Sequence, residues 1–178
     1  FSGRDNIKSN VTMSRLESSG STLKNIEIEV SGDYSGLIRE IRTNLEGVDF
    51  ENIKVTGTSS YVGVIGKSTA EVKNIKFKEI EITSSGVDNT GCIGSQEIGK
   101  VENIKLENVT ITGKNSVGGL IGYSTAEICN IIANDIHILS TGYYIGGIVG
   151  NEVSNKLQEV IIKESSVRGN DYVGGIRW

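Results

Sequence analysis

The sequence predicts an all-β fold, a right-handed parallel β-helix (β-solenoid) of about six turns with three short strands per turn. Three observations predict it. A short asparagine-centred unit recurs along the chain, apolar and polar residues alternate within each unit, and a glycine-rich segment follows. Glycine supplies 23 of the 178 residues and proline is absent. That balance favours tight corners between hydrogen-bonded strands, because proline removes a donor from the ladder.

The asparagine-centred strand is the first element of each repeat, as in Val101-Glu102-Asn103-Ile104-Lys105-Leu106. Its central residues are Asn25, Asn52, Asn74, Asn103, Asn130 and, in the last copy, Glu159. Successive spacings are 27, 22, 29, 27 and 29 residues. Stacked side-chain amides can hydrogen-bond along a column, so we expect Asn25, Asn52, Asn74, Asn103 and Asn130 to form one structural ladder.

The repeats lie near 23–47, 48–70, 71–99, 100–126, 127–155 and 156–178, within a single domain 1–178. The second element of a repeat is a short apolar alternation, such as Ile80 and Ile82. The third is glycine-rich, as in Val117-Gly118-Gly119-Leu120-Ile121-Gly122. One segment, 37–45, has apolar residues at i, i+1, i+4 and i+8, which predicts a short helix inserted in the first full turn.

Composition narrows the classes of function. The net charge of −4 argues against nucleic-acid binding, which needs clustered basic residues. The sequence contains no run of about 18 apolar residues, so we expect no insertion of this segment into a membrane. Cys92 and Cys129 are too few for a disulfide framework and are expected to be free thiols. The chain lacks an initiator methionine and stops inside a repeat, so we interpret it as a fragment of a larger protein.

The sequence predicts no catalytic residue, no metal and no cofactor. His137 is the only histidine, and its position between Ile136 and Ile138 is that of an ordinary exposed strand residue. Parallel β-helices often act on polysaccharides through carboxylates on an exposed sheet, so a polysaccharide lyase or hydrolase is the enzyme alternative. The outward columns of the first strand stack no carboxylates on adjacent turns, which weakens that alternative.

Two sets of side chains are candidates for binding. Lys54, Lys76 and Lys105 are expected to stack about 5 Å apart on successive turns, where an anionic glycan would relieve their repulsion. Tyrosines precede the glycine segment in four repeats, and neighbouring copies are expected to stack in pairs. These candidate contacts with a sugar or a protein are Tyr34, Tyr61, Tyr144 and Tyr172.

The Val-Gly-Gly-Leu-Ile-Gly segment at 117–122 and its copy at 145–150 resemble the GLUG motif of bacterial surface and secreted proteins. The wider pattern, from Leu23 onward, is similar to the repeat region upstream of the catalytic domain in immunoglobulin A-cleaving zinc metallopeptidases of Gram-positive bacteria. The H-E-x-x-H zinc motif of those peptidases is absent.

This resemblance implies an extracellular or cell-wall-associated location and a noncatalytic module that acts as a rigid spacer, adhesin or substrate-presenting surface. The expected partner is a host glycan, a host protein or another domain of the same chain. An accessory domain of a surface zinc metallopeptidase is a further alternative.

Overall fold

The computed structural model describes residues 20–154 and 156–177, which form seventeen β-strands and no helix. The segment before residue 20 and positions 155 and 178 of the predicted repeats lie outside this description. In chain order the strands are β1 (Ser21–Val30), β2 (Ser35–Ile41), β3 (Leu45–Glu46), β4 (Val48–Gly57), β5 (Val62–Ser68), β6 (Val72–Ser84), β7 (Asp88–Thr90), β8 (Ile93–Gln96), β9 (Lys100–Gly113), β10 (Asn115–Gly118), β11 (Ile121–Ser124), β12 (Glu127–Ser140), β13 (Tyr143–Gly146), β14 (Val149–Glu152), β15 (Leu157–Lys163), β16 (Ser166–Arg168) and β17 (Asp171–Gly174).

The strands build two sheets in which each strand pairs in parallel with its counterpart in the neighbouring turn. One sheet has the order β1-β4-β6-β9-β12-β15, with β3 beside β6 and β16 beside β12. The other has the order β14-β11-β8-β5-β7-β10-β13-β17, with β2 beside β5. The predicted all-β solenoid of about six turns is therefore confirmed.

The chain turns at three columns of residues with left-handed backbone conformation. Every non-glycine residue with such a φ in the described chain belongs to one of these columns, with φ between 49° and 61°. The first column is Gly20, Gly47, Asn74, Asn103, Asn130 and Glu159. The second is Asn25, Asn52, Glu79, Asn108, Asp135 and Glu164. The third is Tyr34, Tyr61, Asn89, Ser116, Tyr144 and Tyr172.

The first two predicted strands of a repeat run together as one long strand that passes through two corners. In β9, the corners are Asn103 and Asn108, both of left-handed φ. Asparagine suits such a corner because its short polar side chain tolerates the left-handed conformation better than most L-residues do. The repeat is thus three-sided, with two of its sides joined in a single strand.

The predicted asparagine ladder exists in two pieces. Asn103 donates to Asn74 across 2.9 Å, and Asn130 donates in turn to Asn103. Asn52 donates to Asn25 across 2.8 Å, but this pair belongs to the second corner column. The expectation of one continuous column of five asparagines was wrong, because the motif of asparagine before a branched apolar residue serves two different corners.

Segment 37–45 is not the predicted helix. Its first part lies in β2, where Ile38 pairs with Ile65 of the next turn, and its last residue, Leu45, begins β3. Ile38 and Leu45 are buried in the core. The apolar spacing imitates a helical face because a turn at 42–44 separates the two strands and shifts the alternation.

The core is a set of aliphatic and aromatic columns between the two sheets. Phe50 and Phe77 lie on successive turns with stacked rings, 5.1 Å between centroids, and Leu106 continues their column. All three are fully buried. Burial of such side chains stabilises each by about 1.5–3 kcal/mol relative to exposure, which drives one turn to pack on the next.

The glycine segments bring backbone against backbone. A Cβ on Gly118 would lie 2.2 Å from the carbonyl oxygen of Ile121, and one on Gly146 would lie 2.1 Å from that of Val149. No side chain fits at these separations. The glycines therefore allow a sharp fold between two short strands, such as β10 and β11.

Candidate functional site

The tyrosine candidates all occupy the third corner of the solenoid. Tyr34, Tyr61, Tyr144 and Tyr172 each have a left-handed φ between 53° and 61°. Because the backbone of each is fixed by its corner, the four rings project from equivalent places on the molecule. The structure thus places the tyrosines in one column, as the spacing predicted.

Tyr34 and Tyr61 stack across the first two turns, with 4.4 Å between ring centroids and 27° between ring planes. The ammonium of Lys67 lies over the Tyr34 ring, 4.7 Å from its centroid, and also pairs with Glu97 at 2.9 Å. Burial raises the pKa of Tyr61 above its usual value, and the neighbouring Tyr34 adds to the shift. We name Tyr34, Tyr61 and Lys67 the first tyrosine cluster.

Tyr144 and Tyr172 stack across the last two turns, with 5.3 Å between centroids and 17° between planes. The preceding residue, Tyr143, packs edge-on against Tyr144 at 4.9 Å. Tyr172 is 56% exposed and Tyr143 is 43% exposed. These three rings, the second tyrosine cluster, offer a broader and more exposed aromatic surface than the first.

The two clusters are separated by the intervening turns. In these intervening turns the third corner is held by Asn89 and Ser116, which are both buried. Tyr61 and Tyr144 are therefore three turns apart, or about 14 Å at the usual spacing of strands. The corner column offers two aromatic surfaces at a fixed distance rather than one continuous strip.

The predicted lysine stack does not form as expected. Lys76 and Lys105 are partners in neighbouring strands, but Lys54 lies level with Glu81. Lys54 also pairs with Glu27 at 3.3 Å, and that contact raises the pKa of its ammonium. The expectation failed because it used the 22-residue spacing from Asn52 to Asn74, which joins two different corners.

Acidic and basic residues instead alternate along the outward columns of Glu27 and Glu51. Glu51 pairs with Lys78 of the next turn at 2.8 Å, and Lys76 pairs with Glu107 at 2.6 Å. In the column that contains Lys54, the flanking residues are Glu27 and Glu81. An anionic ligand would meet this mixed surface rather than a row of lysines.

The cysteines and acidic groups of the described residues do not converge as metal ligands. Within 20–154 and 156–177, no three His, Cys, Asp or Glu side chains are grouped as ligands. Both cysteines are free thiols, as predicted. Complete burial raises the pKa of Cys92 far above its ordinary value, while partial burial raises that of Cys129.

His137 has partners that its sequence position did not reveal. Its Nδ1 lies 2.8 Å from the hydroxyl of Ser166, and its Nε2 lies 2.8 Å from a carboxylate oxygen of Asp135. Ser166 is the strand partner of His137 in the next turn. The 29-residue step from Asn130 to Glu159 was the available signal, because the same step leads from His137 to Ser166.

Together, the fold and these surfaces define a parallel β-solenoid with aromatic corners. No helix of the described chain is long and apolar enough to cross a membrane. The sequence matches no protein-family model, and neither a curated protein nor a solved structure matches it.

Proposed function

We propose that this chain is a noncatalytic module of a bacterial cell-surface or secreted protein, in which it acts as a rigid spacer and binds a glycan through its corner tyrosines. The observation that carries the proposal is the second tyrosine cluster. It holds three aromatic rings, of which those of Tyr143 and Tyr172 are exposed, on a corner whose backbone cannot adjust freely.

Rigidity is supported by the packing of the core. The same inward columns continue through successive turns, and the long strands pair along almost their whole length, as β9 does with β6 and β12. Moving one turn relative to the next would break many backbone hydrogen bonds and open the dry interior. Such a solenoid holds its binding surfaces at a fixed spacing.

Glycan binding is supported by the chemistry of the rings. A tyrosine presents a flat apolar face, which packs on the C–H face of a sugar, together with a hydroxyl that can hydrogen-bond. Because the corner fixes the backbone and neighbouring rings restrict the side chains, little conformational entropy is lost on binding.

A polysaccharide-cleaving activity has less support. Hydrolysis of a glycosidic bond uses two carboxylates at a defined separation across the scissile bond. Along the columns of Glu27 and Glu51, a lysine occupies the next turn, so carboxylates do not face each other there.

The test is a glycan panel probed with the chain and with variants in which the corner tyrosines are replaced by asparagine. Asn89 occupies the same corner with φ 61°, so Tyr144→Asn with Tyr172→Asn preserves the local backbone. We expect this double variant to lose binding, while Tyr123→Ala, at a tyrosine outside the corner column, retains it. A wild-type chain that binds no glycan, or a double variant that binds as well as the wild type, would contradict the proposal. Binding to a host protein instead would replace the glycan as partner.

A further inference from the structure

Asp135, His137 and Ser166 form a hydrogen-bonded chain on the outward face of the last two turns. Asp135 is the second-corner residue of β12, with φ 60°, and His137 follows it on the same strand. Ser166 begins β16, directly beside His137. The two contacts, Asp135 Oδ1 to His137 Nε2 and His137 Nδ1 to Ser166 Oγ, are both 2.8 Å.

The chemistry of the three groups fixes the direction of these hydrogen bonds. An ionised carboxylate only accepts, so Nε2 of His137 carries the hydrogen that it donates to Asp135. In the neutral imidazole, Nδ1 is then an acceptor, and the hydroxyl of Ser166 donates to it. A serine whose proton points at an imidazole nitrogen, with a carboxylate on the other nitrogen, is the arrangement that activates a hydroxyl for attack.

We propose that Ser166 is a site of covalent acylation, at which the chain takes an acyl group from an activated carboxylic ester. In this step Ser166 Oγ bonds to the carbonyl carbon while its proton passes to Nδ1 of His137. The carbon–oxygen bond to the leaving group then breaks, and the departing alcohol takes the proton from the imidazolium. The products are an acyl-serine and an alcohol, with His137 neutral again. The inference goes beyond the proposed function, because it requires no glycan and leaves the tyrosine clusters untouched.

The neighbours of Ser166 favour a small apolar acyl group. Leu139 lies two residues beyond His137 on the same face of β12 and is 52% exposed. Its strand partner is Arg168, which is exposed and two residues beyond Ser166. Residues two apart on a strand share a face and lie about 7 Å apart. An acyl chain on Ser166 therefore has the exposed apolar side chain of Leu139 within reach.

The experiment exposes the chain to p-nitrophenyl acetate and locates stable acetyl groups by mass spectrometry of peptides. The control serine is Ser85, which is exposed and whose hydroxyl contacts the carbonyl oxygen of Gly57 at 3.5 Å. We expect acetylation at Ser166 to be at least about 100-fold faster than at Ser85, the usual contribution of a general base. His137→Gln should remove that advantage, and Ser166→Ala should remove the label from the peptide.

Asp135 is a positioning residue in this scheme, and Asp135→Asn tests it without disturbing the corner. Asn108 occupies the same column with left-handed φ, so the fold accepts asparagine there. The amide can donate to Nε2, which would move the imidazole hydrogen to Nδ1 and leave Ser166 without a base. Nitrogen-15 NMR of His137 should report the Nε2–H tautomer in the wild type and Nδ1–H in the variant, with slow acetylation. Equal labelling of Ser166 and Ser85, or labelling of Ser166 that survives His137→Gln, would overturn the proposal.

Discussion

Asn52 lies beside Glu79 of the next turn, not beside Asn74. Glu79 is five residues beyond Asn74, so Asn52 and Asn74 belong to different corner columns. The pairing of Phe50 with Phe77 and of Ile53 with Ile80 fixes this relationship. Asn52 and Asn74 look equivalent in sequence because each precedes isoleucine, and in the structure both have a left-handed φ. They nevertheless turn the chain at different corners. This register determines which charged side chains lie beside one another in successive turns of that sheet.

The first prediction tests the register through Lys54, which lies between Glu27 and Glu81. Lys54→Glu would place three carboxylates on successive turns, so we expect a lower melting temperature and a loss that shrinks as salt is added. Lys105→Glu is the matched control, because Lys105 lies beside Lys76 and the change introduces opposite charges. We expect it to leave the melting temperature unchanged or to raise it. A stabilising Lys54→Glu would instead indicate that Lys54 lies beside Lys76.

The second prediction separates the two roles of Asn103, which are a left-handed corner and a hydrogen-bonded amide. Asn103→Gly keeps the corner but removes the contacts with Asn74 and Asn130, and we expect the free energy of unfolding to fall by about 1 kcal/mol. Asn103→Ala loses the same contacts and keeps a Cβ at φ 56° without the polar side chain that lets asparagine tolerate this conformation, so it should cost about 1–2 kcal/mol more than glycine. Unfolding by denaturant measures both. If glycine proved as costly as alanine, the corner conformation would not be what selects asparagine.

Much of the fold was predictable because its signals are local and repeated. The alternation of apolar residues in Val101–Leu106 marks the inward side, and the nearly constant spacing of the tyrosines placed them in one column. The tyrosine pairs then follow from the stacking of turns. These features need no knowledge of which corner comes first.

The assignment of residues to corner columns depends on the strand register, and the similarity of the asparagine units indicated a wrong register. Gly47 holds the first corner in the second turn, where Asn74 holds it in the third. A search for repeated asparagine therefore passes over that glycine and finds Asn52 instead. The predicted helix at 37–45 was wrong for a related reason. The turn at 42–44 places Leu45 four residues after Ile41, and apolar residues four apart are also typical of a helix. The contact of His137 with Ser166 was missed although the 29-residue step from Asn130 to Glu159 gives the correct register for these turns, because the neighbours of His137 along its own strand do not show which residue lies beside it in the next turn.

The third prediction concerns acid stability. The ammonium of Lys78 hydrogen-bonds to Glu51 at 2.8 Å and lowers the pKa of that carboxyl below its usual value. A carboxyl whose pKa is lower in the folded state stabilises the fold above its unfolded pKa of about 4.3, and this contribution is lost as the pH falls through the folded value. Glu51→Gln should therefore flatten the fall of the free energy of unfolding below about pH 5. Lys78→Gln should flatten it similarly, and the double variant should add nothing further; an unchanged acid profile in Glu51→Gln would contradict the role of this pair.

The fourth prediction concerns the close approach of backbone in the glycine segments. In Gly118→Ala the new methyl group would lie 2.2 Å from the carbonyl oxygen of Ile121 and 2.6 Å from the backbone nitrogen of Gly150. The first atom lies in β11 and the second in β14 of the next turn, so neither can move without disturbing the pairing of these strands, and we expect a loss of about 3 kcal/mol or more in the free energy of unfolding. Gly175→Ala is the matched control, because a Cβ there meets nothing within 4 Å. Denaturant unfolding should show Gly175→Ala close to the wild type. Equal stability of the two variants would mean that the glycine segments are not packed backbone against backbone, and the sharp fold in each turn would then need another cause.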